Sequence, residues 1–172
     1  MPGSRASHRE VVSVLREALL LEREALDAYA AAIVRLGDEP LTRDTAMSFL
    51  SAHERHFDEL DARLRTFGVQ LVESPDTPRR LLPPERFSEL AGTTAALRLL
   101  RTNADELVRR YRALLERPLP EAELSMIRRI CNDELRHRAW LAARIHAFSR
   151  ISPDGRRSSI PPPPERISLV PR

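Results

Sequence analysis

Two glutamates and two histidines are the residues of this chain whose types and spacing can do chemistry together. Glu134 and His137 stand three positions apart in the stretch NDELRHRAW, residues 132–140. On a helix such a pair lies on one face about one turn apart, where both side chains reach the same point. Glu22 and His53 are the other two. Carboxylate oxygen and imidazole nitrogen are ligands of Fe, Mn and Zn, so four converging residues of these types could bind a transition metal, or could neutralise one another through hydrogen bonds without an ion.

The surrounding apolar residues indicate that these four side chains face a core. Each predicted helix has a seam of residues spaced alternately three and four apart, as in helices packed in a bundle. Glu22 interrupts the first seam, His53 the second, and Glu134 with His137 the fourth. The apolar seam residues include Val12, Leu15, Leu19, Leu60, Leu64, Leu97, Leu100, Leu107, Ile127, Ile130 and Leu141. A charge in such a core needs a partner, a proton, water or a metal, so the seam positions favour a common site.

Proline and glycine divide the chain into four long helical segments. The first is predicted from the capping box at residues 7–10 to about Leu36, and the second from about Thr42 to Phe67. A proline-containing crossover at residues 68–84 precedes a third helix at about 85–116, with a break near Gly92, and a fourth at about 121–149. Short links on either side of one long crossover predict an all-α, antiparallel four-helix bundle with ferritin-like connectivity. The expected organisation is a flexible N-terminus at 1–7, the bundle at 8–149 and a Pro/Arg-rich extended tail at 150–172.

Charge and composition argue against several classes of protein. Residues 1–149 hold 23 Arg and 23 acidic residues, whereas residues 150–172 hold 5 Arg and 2, so the net charge of +3 lies in the tail. The neutral body lacks the basic excess of a nucleic-acid surface. The chain has no apolar run of the roughly 20 residues that a membrane span needs, and the lone Cys131 excludes an intramolecular disulfide. We therefore expect a cytoplasmic protein with neither nucleic acid nor membrane as a partner.

The motifs on these seams give the chain a family resemblance. It resembles the ferritin-like superfamily, and is most similar to small bacterial ferritin-like proteins classed as a domain of unknown function. In those families each helix pair contributes a Glu followed seven residues later by a Tyr, then a Glu-x-x-His on the partner helix. Glu22 with Tyr29 matches the first element, and Glu134 with His137 matches the last. The resemblance covers about residues 8–148 and implies that Tyr29 lies beside the metal, as a hydrogen-bond or electron-transfer group.

Comparison of the two halves shows two departures from that pattern. Aligning His53 with His137 places Leu50 where the second helix should supply a carboxylate. Aligning the two tyrosines of the chain places Ala104 where the third helix should supply one. A dimetal site of this family draws on four carboxylates and two histidines, so only four of six ligand positions remain. They predict a mononuclear site for Fe or Mn, with Zn also chemically compatible.

Neighbouring polar residues are weaker candidates for the site. Glu54 and His56 flank the second seam, and a shift of one residue turns a side chain about 100 degrees away from it. Glu54 is accordingly kept as a reserve ligand only. Glu24 and Glu106 are expected on exposed faces, paired with arginine.

Two function classes follow from these observations. The first is a metal-binding protein that handles iron or manganese or, if it is an enzyme, works as a ferroxidase or reduces O2 or peroxide. The second is a non-catalytic bundle that has lost the dimetal site and serves a structural or interaction role, for which Leu50 and Ala104 are the evidence. A homodimer is the expected oligomer in either case.

The tail has the layout of a docking peptide for a protein partner. A proline-rich spacer precedes the short apolar segment at residues 167–170. Ferritin-like proteins that enter an encapsulin shell carry a similar layout, although the Gly-Ser-Leu core of those peptides is absent here. The final residues LVPR also match what thrombin leaves at its cleavage site, so an engineered remnant and an untethered tail are the alternatives.

Overall fold

The computed structural model describes residues 7–37, 39–70, 78–90 and 92–150, and these residues form five helices and no strand. The helices are α1 His8–Ile33, α2 Pro40–Thr66, α3 Glu85–Ser88, α4 Thr93–Leu115 and α5 Glu121–Ser149. α1 packs along α2 and α4 along α5, and the two hairpins meet mainly through α1 and α4. The predicted four-helix bundle, with its long crossover between the second and third long helices, is confirmed.

Local sequence signals set the helix ends. The Ser7 hydroxyl accepts a hydrogen bond from the Glu10 backbone N–H at 3.2 Å, as the capping box predicts. Gly68 lies two residues beyond the end of α2, and its φ of 71° places it in the left-handed region. The Val69 N–H then donates to the Leu64 carbonyl at 3.2 Å, which satisfies a free carbonyl of the last turn. The expected break near Gly92 separates the short α3 from α4.

The apolar core consists of two clusters stacked along the bundle axis. On α2 the buried members of one cluster end at Phe49, and those of the other resume at Leu60. On α5 the buried members change from one cluster to the other between Cys131 and Trp140. The polar residues Glu22, His53, Glu134 and His137 are buried in this interval. The bundle therefore contains a polar layer with apolar side chains on both sides.

Two buried polar side chains hold the crossover against the bundle. Glu24 is 6% exposed, and its Oε2 accepts hydrogen bonds from the backbone N–H groups of Arg80 and Leu81, both at 2.7 Å. Asn103 accepts from the Leu82 N–H at 2.8 Å and donates to the Leu82 carbonyl. The expectation that Glu24 lies on an exposed face was therefore wrong. The crossover covers this glutamate and supplies the backbone donors that a buried carboxylate needs.

No helix in these described ranges is long and apolar enough to cross a membrane. The N-terminal residues 1–6 and tail residues 151–172 lie outside the described residues. The docking, encapsulation and thrombin-remnant hypotheses for the tail therefore stay predictions.

Removing the Glu24 carboxylate should detach the crossover. We expect Glu24→Ala to lower the free energy of unfolding by about 2–3 kcal/mol, because two backbone N–H groups lose a charged acceptor. Glu106→Ala is the matched control, since Glu106 lies at the equivalent position of α4 but pairs with Arg109 and Arg110 near the surface. That variant should lose no more than about 1 kcal/mol. Equal losses in urea denaturation of the two variants would contradict the anchoring role.

Candidate metal site

Four buried side chains converge in the polar layer. Glu22 from α1, His53 and His56 from α2 and Glu134 from α5 each offer one ligand atom, and these atoms lie within 4.8 Å of one another. With metal–ligand bonds of about 2.1 Å, two ligands of one ion lie at most about 4.2 Å apart. The side chains need to close by only about half an ångström, so the cluster is compatible with a single ion.

Glu22 is the most heavily contacted member of the cluster. Its Oε2 accepts a hydrogen bond from His53 Nδ1 at 2.7 Å and lies 3.4 Å from His56 Nδ1. Its Oε1 accepts a hydrogen bond from the Tyr111 hydroxyl. Burial alone would raise the pKa of Glu22, but its interactions with His53, and more weakly with His56, outweigh burial and lower that pKa well below the ordinary value. Glu22 is therefore an ionised carboxylate that presents one oxygen to the site.

Glu134 has the opposite environment. Neither of its oxygens has a hydrogen-bond partner among the described residues, although the side chain is fully buried. The nearest histidine nitrogens are His137 Nδ1 at 3.5 Å and His53 Nδ1 at 3.6 Å from Oε1. Burial raises the pKa of Glu134, and the negative charge of Glu22 adds to the rise. A buried carboxyl without donors is unfavourable unless a proton, a water or a cation satisfies it.

Imidazole nitrogens in the same layer also lack partners. His53 Nε2, His56 Nδ1 and His137 Nδ1 have no hydrogen-bond partner in the described part of the chain. Buried polar atoms of native proteins are nearly always paired, and clustered exceptions need an explanation. The donor set of carboxylate oxygens and imidazole nitrogens fits a divalent transition metal, which would satisfy several of these atoms at once.

His56 is the residue that sequence reasoning missed. It is 3% exposed, and its Nε2 lies 2.9 Å from Asp133 Oδ2 on α5. The heptad pattern places His56, like Glu54, off the seam of α2. His56 is three residues beyond His53, however, and three helical steps bring a side chain back to within about 60 degrees of its starting direction. The His-x-x-His spacing was the signal that would have identified it.

Neither His137 nor Glu54 is one of the four clustered residues. His137 is 5% exposed, and its ring stacks on Phe49 with centroids 4.0 Å apart. Burial, with the charge of His56 acting in the same direction, lowers the pKa of His137 well below the ordinary histidine value. Its Nδ1 faces Glu134 but no ligand atom of His137 belongs to the four-residue group. Glu54 is exposed and is not brought to the site.

The two tyrosines contact the layer in different ways. The Tyr29 ring lies 5.0 Å from the His53 ring, and its buried hydroxyl has no hydrogen-bond partner in the described chain. Tyr111 is fully buried and donates to Glu22, so its hydroxyl does reach a polar partner. Burial raises the pKa of both hydroxyls, and the negative charges of Glu22 and Glu134 act in the same direction. Both tyrosines are therefore neutral, protonated side chains.

The positions that depart from the family pattern are packed as apolar residues. Leu50 is half-buried and packs against the cluster that contains the fully buried Leu97. Ala104 is 2% exposed and belongs to the same cluster. α4 supplies none of the four clustered ligands, and its contribution to the layer is the Tyr111 hydroxyl.

Solved structures of other proteins share this architecture. One is a two-domain protein containing DJ-1/ThiJ/PfpI-like and ferritin-like domains from Anabaena variabilis, with a TM-score of 0.70 and 14% sequence identity. The match covers 94% of this chain and 44% of that one, so the chain spans less than half of that protein. Another is a dodecameric thioferritin, the bacterioferritin-related protein from Bacteroides fragilis, with a TM-score of 0.69 and 13% identity over 86% of this chain and 90% of that one.

The sequence itself matches no protein-family model and no curated protein. The structural likeness shows that the chain has the ferritin-like fold, as its motifs predicted. Within that fold, the described residues include one buried cluster whose chemistry suits a metal ion.

The two carboxyl groups should respond oppositely to neutralisation in metal-free protein. Glu22→Gln should destabilise the chelator-treated protein by about 1–3 kcal/mol, because a charged acceptor of hydrogen bonds is lost. Glu134→Gln keeps the shape and removes an unpartnered charge, so it should leave stability unchanged or raise it. Urea denaturation at pH 8 measures both values. A larger loss for Glu134→Gln than for Glu22→Gln would show that hydrogen bonding of the two groups has been misassigned.

Proposed function

We propose that this chain is a metal-binding ferritin-like protein that holds one transition-metal ion through Glu22, His53, His56 and Glu134. The observation that carries the proposal is the clustering of buried carboxylate and imidazole groups, several of whose atoms lack hydrogen-bond partners among the described residues. Two carboxylate oxygens and two imidazole nitrogens suit Fe, Mn or Zn in the +2 state. All four donors come from one chain, so the site does not require a second subunit.

The surrounding residues support binding at the site. The Tyr111 hydroxyl fixes one oxygen of Glu22, which leaves the other to face the histidines. Apolar clusters lie on both sides of the polar layer. Iron or manganese bound here would supply one-electron chemistry, and we propose reduction of O2 or peroxide, or oxidation of the metal itself, as the reaction.

His137 and Tyr29 take supporting places in this proposal. His137 Nδ1 lies 3.5 Å from Glu134 Oε1 and can hydrogen-bond that carboxylate or complete the coordination of the ion. The Tyr29 hydroxyl lies in the layer without a hydrogen-bond partner among the described residues, and Tyr29 is proposed as the group that donates a proton or an electron. Neither role is needed for the binding claim, which depends on the four clustered residues.

The rival function is a structural bundle without metal chemistry. Its support is that Glu22 already has the His53 and Tyr111 hydrogen bonds, and that Leu50 and Ala104 are packed as apolar residues. A proton shared within the layer would then satisfy Glu134. A homodimer and a protein partner for the tail are further proposals that fit either function.

Metal content tests the binding claim directly. Protein purified without chelator should contain close to one equivalent of Fe, Mn or Zn by elemental analysis. His56→Ala should lose it, because removing a ligand costs more than the roughly 10–100-fold in affinity that removing an outer partner costs. His146→Ala is the matched control, since His146 is exposed near the end of the same bundle. Metal far below one equivalent in the unmodified protein would end the proposal.

Thermal stability distinguishes the two functions. A ligand that binds only the folded state adds about 2.7 kcal/mol of stability at 100 times its Kd. We therefore expect EDTA to lower Tm by several degrees and re-addition of the metal to restore it. An unchanged Tm in a protein that retains its fold favours the structural bundle. His56→Ala should show no EDTA response under the metal hypothesis.

Oxidation of bound Fe(II) tests the redox claim. Anaerobic loading followed by O2 or peroxide should produce the near-ultraviolet absorbance of protein-bound Fe(III). Tyr29→Phe keeps the ring packing against His53 and Phe49 and should slow this change without weakening metal binding. An unchanged rate in Tyr29→Phe would remove Tyr29 from the reaction and leave binding intact.

A further inference from the structure

Asp133 contacts one member of the four-residue cluster but is not itself one of the four residues. Its side chain is 13% exposed, and Oδ2 lies 2.9 Å from Nε2 of His56 across the α2–α5 interface. Its other oxygen, Oδ1, accepts a hydrogen bond from Arg136 one turn along α5. The carboxylate is thus held between a surface arginine and a buried histidine.

This contact determines which nitrogen of His56 carries the hydrogen. An ionised carboxylate only accepts hydrogen bonds, so His56 Nε2 must donate, and in the neutral ring Nδ1 keeps its lone pair. Nδ1 lies 3.4 Å from Glu22 Oε2 and forms no hydrogen bond with any described residue. A lone pair and a carboxylate oxygen facing each other at this distance repel unless a cation lies between them.

We propose that Asp133 is a positioning residue of the metal site, which directs the Nδ1 lone pair of His56 at the ion by accepting the Nε2 hydrogen. This inference rests on the proposed function. A ligating histidine that donates its other N–H to a carboxylate has a fixed tautomer and ring orientation and is a stronger base. Asp133 therefore makes His56 a ligand rather than a hydrogen-bond donor to Glu22.

The placement of Asp133 on α5 strengthens this assignment. It immediately precedes Glu134, and consecutive helical residues point about 100 degrees apart. Glu134 thus lies in the cluster, and the adjacent Asp133 contacts His56 of α2, which is another member of the cluster. His53, by comparison, directs Nδ1 to Glu22 at 2.7 Å, so the described contacts give it no such outer carboxylate.

Cobalt binding to the full chain tests the proposal, because Co²⁺ reports ligand geometry through its visible absorption. Asp133→Ala should weaken Co²⁺ binding by roughly 10–100-fold in competition with a chelator and alter the visible spectrum. Asp133→Asn should lose less, because its carboxamide oxygen still accepts the Nε2 hydrogen. Asp105→Ala is the control, since Asp105 is an exposed aspartate that pairs with Arg101, and it should bind Co²⁺ like the unmodified protein.

A double-variant comparison separates positioning from general destabilisation. Titration at high Co²⁺ concentration measures the weakened binding that remains in His56→Ala, and in this background Asp133→Ala should cause no further loss of affinity, because the residue it acts through is gone. A full additional loss would overturn the positioning role. Equal Co²⁺ affinity and spectrum in unmodified protein and Asp133→Ala would also overturn it and leave the proposed function standing. Absence of Co²⁺, Fe²⁺ and Zn²⁺ binding by the unmodified protein would end both.

Discussion

Burial of two carboxyl groups at the centre of an apolar bundle is the constraint on which the rest of the arrangement depends. Glu22 and Glu134 are both fully buried, and unpaired charge in such a medium is strongly unfavourable. Glu22 is stabilised as the anion by His53 and Tyr111, whereas Glu134 has no hydrogen-bond donor among the described residues. Their pKa values therefore move in opposite directions, and the layer as a whole has more acceptors than donors. A cation would best balance this excess of hydrogen-bond acceptors.

The two helical hairpins contribute unequally to this layer. Three of the four long helices supply the clustered donors, and α4 supplies none of them. The polar residues of α4 support the structure instead, since Asn103 holds the crossover and Tyr111 holds Glu22. The same division separates the equivalent positions Glu24 and Glu106, of which the first anchors the crossover and the second pairs with surface arginines. The two halves of the bundle thus have similar side chains at equivalent positions, but these side chains make different contacts.

Sequence periodicity predicted the fold because apolar residues at heptad spacing indicate which face of each helix is buried. The same reasoning predicted that Glu22, His53, Glu134 and His137 face inward, and all four are buried. It failed for His56 because the seam includes only one position per turn, whereas residues three apart share the buried face. It failed for Glu24 because a residue beside a seam is exposed only when nothing covers it. The crossover that covers Glu24 is a tertiary feature that helical periodicity does not encode.

The contacts of Glu22 and the apolar residues around it are relevant to the number of metal ions that such a cluster could bind. A carboxylate can bridge two metals through its two oxygens, and in Glu22 one of them, Oε1, already accepts a hydrogen bond from the Tyr111 hydroxyl. At the two positions where the family pattern has further carboxylates, Ala104 is buried in the apolar core and Leu50 packs against it. Addition of His56 meanwhile raises the nitrogen content of the remaining set, and imidazole suits Zn and Fe, whereas carboxylate suits Mn and Mg. The donor set therefore agrees with our proposal of a single ion rather than with the oxygen-rich pair of ions that four carboxylates serve.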